Sequence, residues 1–259
     1  MKLTLISDLH IEFHTKHELP NVGSGNILVI AGDAISARYL KTNGDNKKKA
    51  LEFFNTVSKN FEHIIYIEGN HSFYDCRYET TFDVVKKVLP DNFIHLENNK
   101  VKIGNYWFVG AVCWTNFDNE NPFALLNAAR YMNDYRYIKY GPVYRKFLPD
   151  DVLRLHKETM SYFKATLDEL QDEKVVMITH HPPTSKSTHP DYVDDPGNAY
   201  FNNHLENWIL DRPQIKYWLC GHTHYAHNYK VGDCEVFCNP LGYPGEFTGF
   251  QEDFSLELT

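Results

Sequence analysis

The sequence predicts an α/β fold, in which buried strands alternate with amphipathic helices. Three short apolar runs, at residues 2–7, 26–32 and 63–69, each end at a polar residue or a glycine, as buried strands do. Residues 46–60 lie between the second and third runs and carry apolar positions at helical spacing. Because strand, helix and strand follow one another, we expect parallel strands joined by right-handed crossovers.

The same alternation continues along the chain. Residues 79–89 and 150–170 predict two further helices, the first ended by Pro90. Residues 100–114 predict two strands joined at Gly104-Asn105. Residues 174–183 and 215–224 each contain an apolar run followed by histidines and predict two further strands. Residues 227–232 and 234–243 predict a final pair of strands.

Residues 115–149 differ from their surroundings because they are rich in asparagine and tyrosine. We expect an insertion with little regular structure apart from a short helix near residues 121–130. No internal repeat or low-complexity linker divides the chain. A single domain over residues 1–259 is therefore the simplest organisation.

Composition narrows the classes of function. The chain has 259 residues and a formal net charge of −8, and such an acidic protein is not expected to bind nucleic acid stably. No run of about 18 apolar residues predicts a membrane span, and the first residues do not resemble a signal peptide. The five cysteines have no zinc-finger spacing, so we expect reduced thiols in a cytoplasmic protein without a membrane partner.

Five polar clusters follow predicted strands directly. They contain Asp8 and His10, Asp33, Asn70 and His71, His180 and His181, and His222 and His224. One such cluster is usually a cap, a turn or a structural histidine, but five at five strand ends favour a shared site. In an open sheet these ends lie along one edge, so the side chains can converge.

The donor atoms in these clusters are those of metal ligands. Carboxylate, imidazole and amide oxygen suit two divalent ions such as manganese, iron, zinc or nickel. In the pairs Asp8-x-His10 and His222-x-His224, alternate residues of an extended segment point the same way. Asp33 is the best candidate for a carboxylate that bridges two ions, because it lies between the other clusters in the chain.

These motifs resemble those of the calcineurin-like metallophosphoesterases, in the same order and over nearly the whole chain. The segments 132–136 and 239–243 also resemble motifs of some members. The resemblance implies a four-layer α-β-β-α sandwich with a dinuclear site at the carboxyl edge of the strands. It assigns one metal to Asp8, His10, Asp33 and His224, and the other to Asp33, Asn70, His180 and His222. His71 would not be a ligand but would act on the phosphoester.

The chain departs from the family pattern at several positions. Ser36 stands where protein phosphatases have an aspartate that orients the catalytic histidine, and Ala37 stands where they have an arginine. That branch is therefore not expected, and what orients His71 stays open. Leu241 replaces an arginine of the closing motif. His181, beside His180, either lines the pocket or is structural.

The predicted reaction is hydrolysis of a phosphodiester or phosphomonoester by a metal-bridging hydroxide, with His71 protonating the leaving oxygen. A small-molecule or nucleotide substrate is favoured. The alternatives are a nuclease of the same family, against which the acidic charge counts, and a non-catalytic scaffold, against which the complete ligand set counts.

The tyrosines of the insertion alternate with cations, which permits two interpretations. The rings either pack the insertion onto the domain, or they cap the site and bind a nucleotide. In the second case Arg136 and Tyr140 are the candidate substrate contacts.

Overall fold

A computed structural model describes residues 1–259. Its strands are β1 (Lys2–Ile6), β2 (Gly25–Ala31), β3 (Phe61–Ile67), β4 (Phe93–His95), β5 (Asn99–Ile103), β6 (Tyr106–Ala111), β7 (Lys139–Tyr140), β8 (Arg145–Lys146), β9 (Lys174–Thr179), β10 (Ile215–Cys220), β11 (His227–Val231), β12 (Cys234–Cys238) and β13 (Ser255–Glu257). Its helices are α1 (Ala37–Leu40), α2 (Asp45–Asn60), α3 (Tyr78–Lys86), α4 (Phe117–Glu120), α5 (Pro122–Tyr131), α6 (Asp134–Tyr137), α7 (Pro149–Glu169), α8 (Asn198–Phe201) and α9 (Glu206–Leu210).

The main strands form two sheets. The first has the order β13-β1-β2-β3-β4, with parallel pairing from β1 to β4 and β13 antiparallel at one edge. The second has the order β11-β12-β10-β9-β6-β5, with a parallel centre from β12 to β6 and an antiparallel strand at each edge. The parallel pairing predicted from the alternation of strands and helices is therefore confirmed.

Three apolar layers hold the two sheets and their helices together. Alternate residues of each strand face opposite sides, so Ile65 contributes to the layer between the sheets and its neighbour Ile64 to the layer under α2. On the far side, Phe163 and Leu167 of α7 pack with Trp218 of the second sheet. The order helix, sheet, sheet, helix confirms the four-layer sandwich.

Two strands of the main sheets, β4 and β13, were not predicted from the sequence. Each has three residues, lies at an edge of the first sheet and is partly exposed, so neither shows an apolar run. Both owe their structure to pairing with a neighbouring strand.

The expectation of little regular structure over residues 115–149 was wrong outside the predicted helix. The helix is present as α5, but the segment also contains α4, α6 and the hairpin β7–β8. Tyr135 and Phe147 of this segment are buried in a fourth apolar cluster with Tyr78 and Trp114. Packing of aromatic rings orders a stretch that has no clear periodicity in sequence.

No helix is long and apolar enough to cross a membrane.

Backbone hydrogen bonds join the carboxyl ends of the strands at one edge. The Asp8 amide donates to Gly32 O at 3.0 Å, which links the end of β1 to the end of β2. Gly221 N donates to His180 O at 3.0 Å and links β10 to β9 in the same way. The Leu241 amide donates to Ser7 O at 3.0 Å. This bond connects the segment after β12, in the second sheet, to the end of β1, in the first sheet.

Candidate metal centre and active site

Side chains from both sheets meet at this edge. Asp33 Oδ2 lies 3.1 Å from His180 Nε2, and Asp8 Oδ1 lies 3.5 Å from His224 Nε2. Asp8 Oδ1 also lies 4.0 Å from His180 Nε2, which brings the two pairs together. His10 Nε2 is 3.1 Å from His224 Nε2. Asp8, His10, Asp33, His180 and His224 thus form a candidate metal site.

Asn70 and His222 lie beside this cluster. Asn70 Oδ1 is 3.1 Å from His180 Nε2. The backbone amide of His222 donates to both Asp8 carboxylate oxygens, at 3.0 and 3.1 Å. His222 Nε2 is buried and has no hydrogen-bond partner in the protein. All seven ligands suggested by the sequence are therefore close together.

The backbone is strained at the same residues. Five non-glycine residues of the cluster have left-handed φ angles, namely Asp8 (52°), His10 (40°), Asp33 (50°), His222 (74°) and His224 (46°). Such conformations are costly for residues with a Cβ atom, and they concentrate at functional sites. Here they turn side chains inward immediately after their strands end.

The glycines of two motifs make the close approach possible. A Cβ atom on Gly69 would lie 2.2 Å from Asp33 Oδ1. One on Gly32, which has φ of 92°, would lie 2.3 Å from His180 Nδ1. The residues before Asp33 and Asn70 are therefore glycines for a steric reason.

The charges of the cluster suit a bound cation. Burial by itself would raise the pKa of each carboxyl, yet the neighbouring imidazoles hold the pKa of Asp8 below, and that of Asp33 well below, its usual range. Burial alone would lower the pKa of each histidine. Asp33 and Asp8 nevertheless raise the pKa of His180 to about 9, and Asp8 and Glu246 raise the pKa of His224 to about 10. The carboxylates thus stabilise positive charge, which divalent ions would supply while displacing these protons.

Two other imidazoles stay neutral. Burial lowers the pKa of His10 to about 3 and that of His222 well below its usual range. A neutral imidazole keeps one nitrogen lone pair for a metal. The donor set and its charges therefore fit metal ions.

A second layer of hydrogen bonds orients three of the ligands. His180 Nδ1 lies 3.0 Å from Ala31 O, so that nitrogen carries the proton and Nε2 faces the cluster. His224 Nδ1 lies 2.7 Å from Glu246 Oε2. Asn70 Nδ2 donates to Asp134 Oδ1 at 2.9 Å, which turns its amide oxygen toward the cluster.

Neither Asp134 nor Glu246 was predicted from the sequence as a site residue. Asp134 lies in the 132–136 motif, which was a usable signal, and it also accepts a 2.8 Å hydrogen bond from Tyr74. Glu246 has no comparable signal, because it reaches His224 only through the folding of the segment after β12.

Two tyrosines hold His71 at the cavity. Its Nε2 lies 3.2 Å from the Tyr243 hydroxyl, and its ring stacks on Tyr74 with centroids 4.1 Å apart. Ser36 Oγ donates to Tyr74 O at 2.9 Å, so the residue at the phosphatases' aspartate position bonds to the Tyr74 backbone rather than to the His71 ring. The His71 amide donates to Asp33 Oδ1 at 2.8 Å.

Leu241, which replaces an arginine of the closing motif, packs against the apolar core.

A cavity of about 550 Å³ opens onto the centre. Asp33, Asn70, His71, His222 and His224 form its floor. The wall combines polar residues with six aromatic ones, namely Tyr74, Tyr131, Tyr192, Tyr200, Phe201 and Tyr243. Asp195 is the charged residue of the wall, and no lysine or arginine lines the cavity.

Three of the suggested pocket residues do not line this cavity. Arg136 is exposed and donates hydrogen bonds to Asn133 Oδ1 and Arg130 O. Tyr140 packs against Phe147 at 5.6 Å between ring centroids. His181 is buried, with its ring 4.2 Å from that of His222 and 5.1 Å from that of Trp114.

The model of the calcineurin-like phosphoesterase family matches residues 1–226. The chain belongs to this family. It is therefore a hydrolase of phosphoric ester bonds, and the family resemblance of its motifs is confirmed. A protein of Acanthamoeba polyphaga mimivirus, described as uncharacterized, is 26% identical over 270 residues, which cover 96% of this phosphoesterase and 93% of the viral protein.

Solved structures share the phosphoesterase fold at low identity. Phosphopantetheinyl hydrolase from Mycobacterium tuberculosis has a TM-score of 0.70 at 15% identity, covering 94% of this chain and 90% of its own. A putative 5'-nucleotidase from Staphylococcus aureus has a TM-score of 0.51 at 14% identity, covering 93% of this chain and 49% of its own. At these identities the likeness concerns the fold alone.

Proposed function

We propose that this phosphoesterase hydrolyses a small phosphoester that enters the 550 Å³ cavity, with two divalent ions at its floor. Asp8, His10, Asp33 and His224 would hold one ion, and Asp33, Asn70, His180 and His222 the other, with Asp33 shared. Manganese, iron, zinc and nickel all accept such oxygen and nitrogen donors. The observation that supports the proposal most is the convergence of all seven residues beside one cavity, which four of them line together with His71.

The ions, when bound, supply an activated water and positive charge against the phosphoryl oxygens. The protein supplies the remaining parts of the reaction. The hydrogen bond from the His71 amide to Asp33 places the imidazole beside the centre, and Tyr74 and Tyr243 fix its ring plane. His71 can then donate a proton to the leaving oxygen as the phosphorus–oxygen bond breaks.

The cavity wall indicates what the leaving group carries. No lysine or arginine in the wall compensates a second or third phosphate, and Asp195 repels one. Aromatic rings and neutral amides instead favour a flat or neutral group, such as an aryl group or a nucleoside. We therefore infer a substrate with a single phosphoryl group, as a monoester or a diester, rather than a polyphosphate or a nucleic acid.

A substrate screen tests this function. Metal-loaded protein is assayed against p-nitrophenyl monoesters and diesters, nucleoside monophosphates, cyclic nucleotides, phosphopantetheine esters, nucleoside triphosphates and supercoiled plasmid. Hydrolysis is expected for esters with one phosphoryl group, and Asp33→Asn is the matched control. Cleavage of plasmid or triphosphates in preference to all others would contradict the substrate class. The absence of hydrolysis above the control with every metal and substrate would favour a scaffold.

A further inference from the structure

A second group of metal-binding side chains lies on the second sheet. Cys220, Cys238 and His227 belong to the neighbouring strands β10, β12 and β11. The register pairs Cys238 with Cys220 on one side and with His227 on the other, so all three occupy one row across the sheet. One donor atom from each residue lies within 4.8 Å of the other two. The five cysteines are free, and these two are buried.

The His227 ring is oriented as a ligand would be. Its Nδ1 lies 2.8 Å from Tyr225 O and therefore carries the proton, because a carbonyl oxygen only accepts. Its Nε2 then holds a lone pair, and this atom is buried without a hydrogen-bond partner. The ring also stacks on Tyr229, with centroids 5.5 Å apart. A ring proton given to a backbone carbonyl is the usual arrangement of a metal-bound histidine.

We propose that Cys220, His227 and Cys238 bind a third metal ion, of the thiol-preferring class represented by zinc. Bonds of about 2.3 Å to sulfur and 2.0 Å to nitrogen place tetrahedral donors about 3.5–3.8 Å apart, so a small inward movement from the observed separations completes the site. Two thiolates neutralise the charge of one divalent ion. The three donors leave one coordination position for water.

This site differs from the dinuclear centre in its chemistry and its place. The centre has carboxylate, amide and imidazole donors and no sulfur, whereas two of the three donors here are thiols. Cys220 is the last residue of β10, and the candidate ligands His222 and His224 follow it directly. An ion bound here ties β10, β11 and β12 together at the point where the chain enters the centre.

Sequence spacing did not reveal this site. Cys234 and Cys238 lie near each other in the chain, but the pair formed by the sheet is Cys220 and Cys238. The register of parallel strands brings these two thiols together, and an antiparallel edge strand adds the histidine.

Cobalt provides a direct test, because a thiolate-to-cobalt charge-transfer band in the near ultraviolet arises only from sulfur ligands. Metal-free protein is titrated with Co²⁺, and bound cobalt is counted after gel filtration. We expect three ions per chain and the charge-transfer band. His227→Ala and Cys238→Ser are expected to bind two ions and lose the band. His227 is partly exposed, so its variant avoids a large change in the core.

The control is Cys234→Ser, because Cys234 is a buried cysteine on the same strand that is not one of the three donors. It is expected to keep three ions and the band. Wild-type protein that binds two ions without the band would overturn the proposal, as would a band that persists in both site variants. A disulfide between Cys220 and Cys238, seen as the loss of two hydrogens by mass spectrometry, would also overturn it.

Discussion

The floor and the wall of the cavity are built in different ways. The floor consists of residues that follow buried strands, such as Asp33 (2% exposed) and Asn70 (2% exposed). The wall comes from helix ends and connecting segments, where Tyr131 is 59% and Tyr192 61% exposed. The rigid part of the fold thus positions the chemistry, while exposed side chains form the surface that a leaving group meets.

Substitutions in the floor and substitutions in the wall should therefore have different effects on the enzyme. A change in the floor should alter metal content or the chemical step, because its groups are the proposed metal ligands and the proposed acid. A change in the wall should alter binding and leave the chemical step in place. Variants of each region test whether the division holds.

The largest effect is expected at Asp33. Asp33→Ala removes the proposed shared ligand and the acceptor of the His71 amide. Metal content should fall toward zero and activity should fall to that of the metal-free protein with every metal. Elemental analysis and a p-nitrophenyl phosphate assay measure both. Normal activity in this variant would exclude a shared ligand at this position.

His71→Ala should separate metal binding from chemistry within the floor. We expect metal content near that of wild type and turnover lower by about 10²–10⁴-fold. The loss should grow with the pKa of the leaving group, because a good leaving group needs little protonation. An equal loss for p-nitrophenol and for alkyl leaving groups would mean that His71 binds the phosphate instead of donating a proton.

The floor could be predicted from sequence because its residues follow apolar runs directly. Once strands 2–7, 26–32 and 63–69 are recognised, parallel pairing places Asp33 and Asn70 of the floor at the same edge as Asp8. The chemistry of the donors then follows from residue type alone.

The wall could not be predicted in this way. Tyr131, Tyr192 and Tyr200 lie in segments without periodicity, and their neighbours are set by tertiary packing. Alternating tyrosines and cations drew attention to residues 131–147, but the cavity uses the start of that stretch and the segment 188–202. The hydrogen bond from Asn70 to Asp134 likewise joins residues 64 positions apart.

Tyr243 lies where floor and wall meet, and its effect should be smaller than that of His71. Tyr243→Phe removes the hydroxyl 3.2 Å from His71 Nε2 but keeps the ring that stacks on His10. One hydrogen bond is worth about 0.5–1.5 kcal/mol, so kcat should fall up to about tenfold. The decrease should again be larger for poor leaving groups. A change in KM alone would assign Tyr243 to the wall.

Tyr131→Ala tests the wall itself. Loss of one aromatic contact is worth about 0.5–1.5 kcal/mol, so KM for an aryl or nucleoside ester should rise about threefold to tenfold while kcat stays near wild type. Tyr144→Ala is the matched control, since Tyr144 is 60% exposed in the same segment but does not line the cavity. A fall in kcat without a change in KM would show that floor and wall are not separable here.

The smallest effect is expected at Arg136 and Tyr140, which the sequence suggested as nucleotide contacts. Neither lines the cavity: Arg136 bonds to its own segment, and Tyr140 packs against Phe147 and contacts Arg154. Arg136→Ala and Tyr140→Phe should therefore change KM less than about twofold for nucleotide and p-nitrophenyl esters alike, since isolated surface contacts contribute little. Steady-state kinetics on both esters measure this. A selective rise in KM for the nucleotide would show that Arg136 or Tyr140 contacts the bound nucleotide. Residues 131–147 would then have to close over the site when substrate binds.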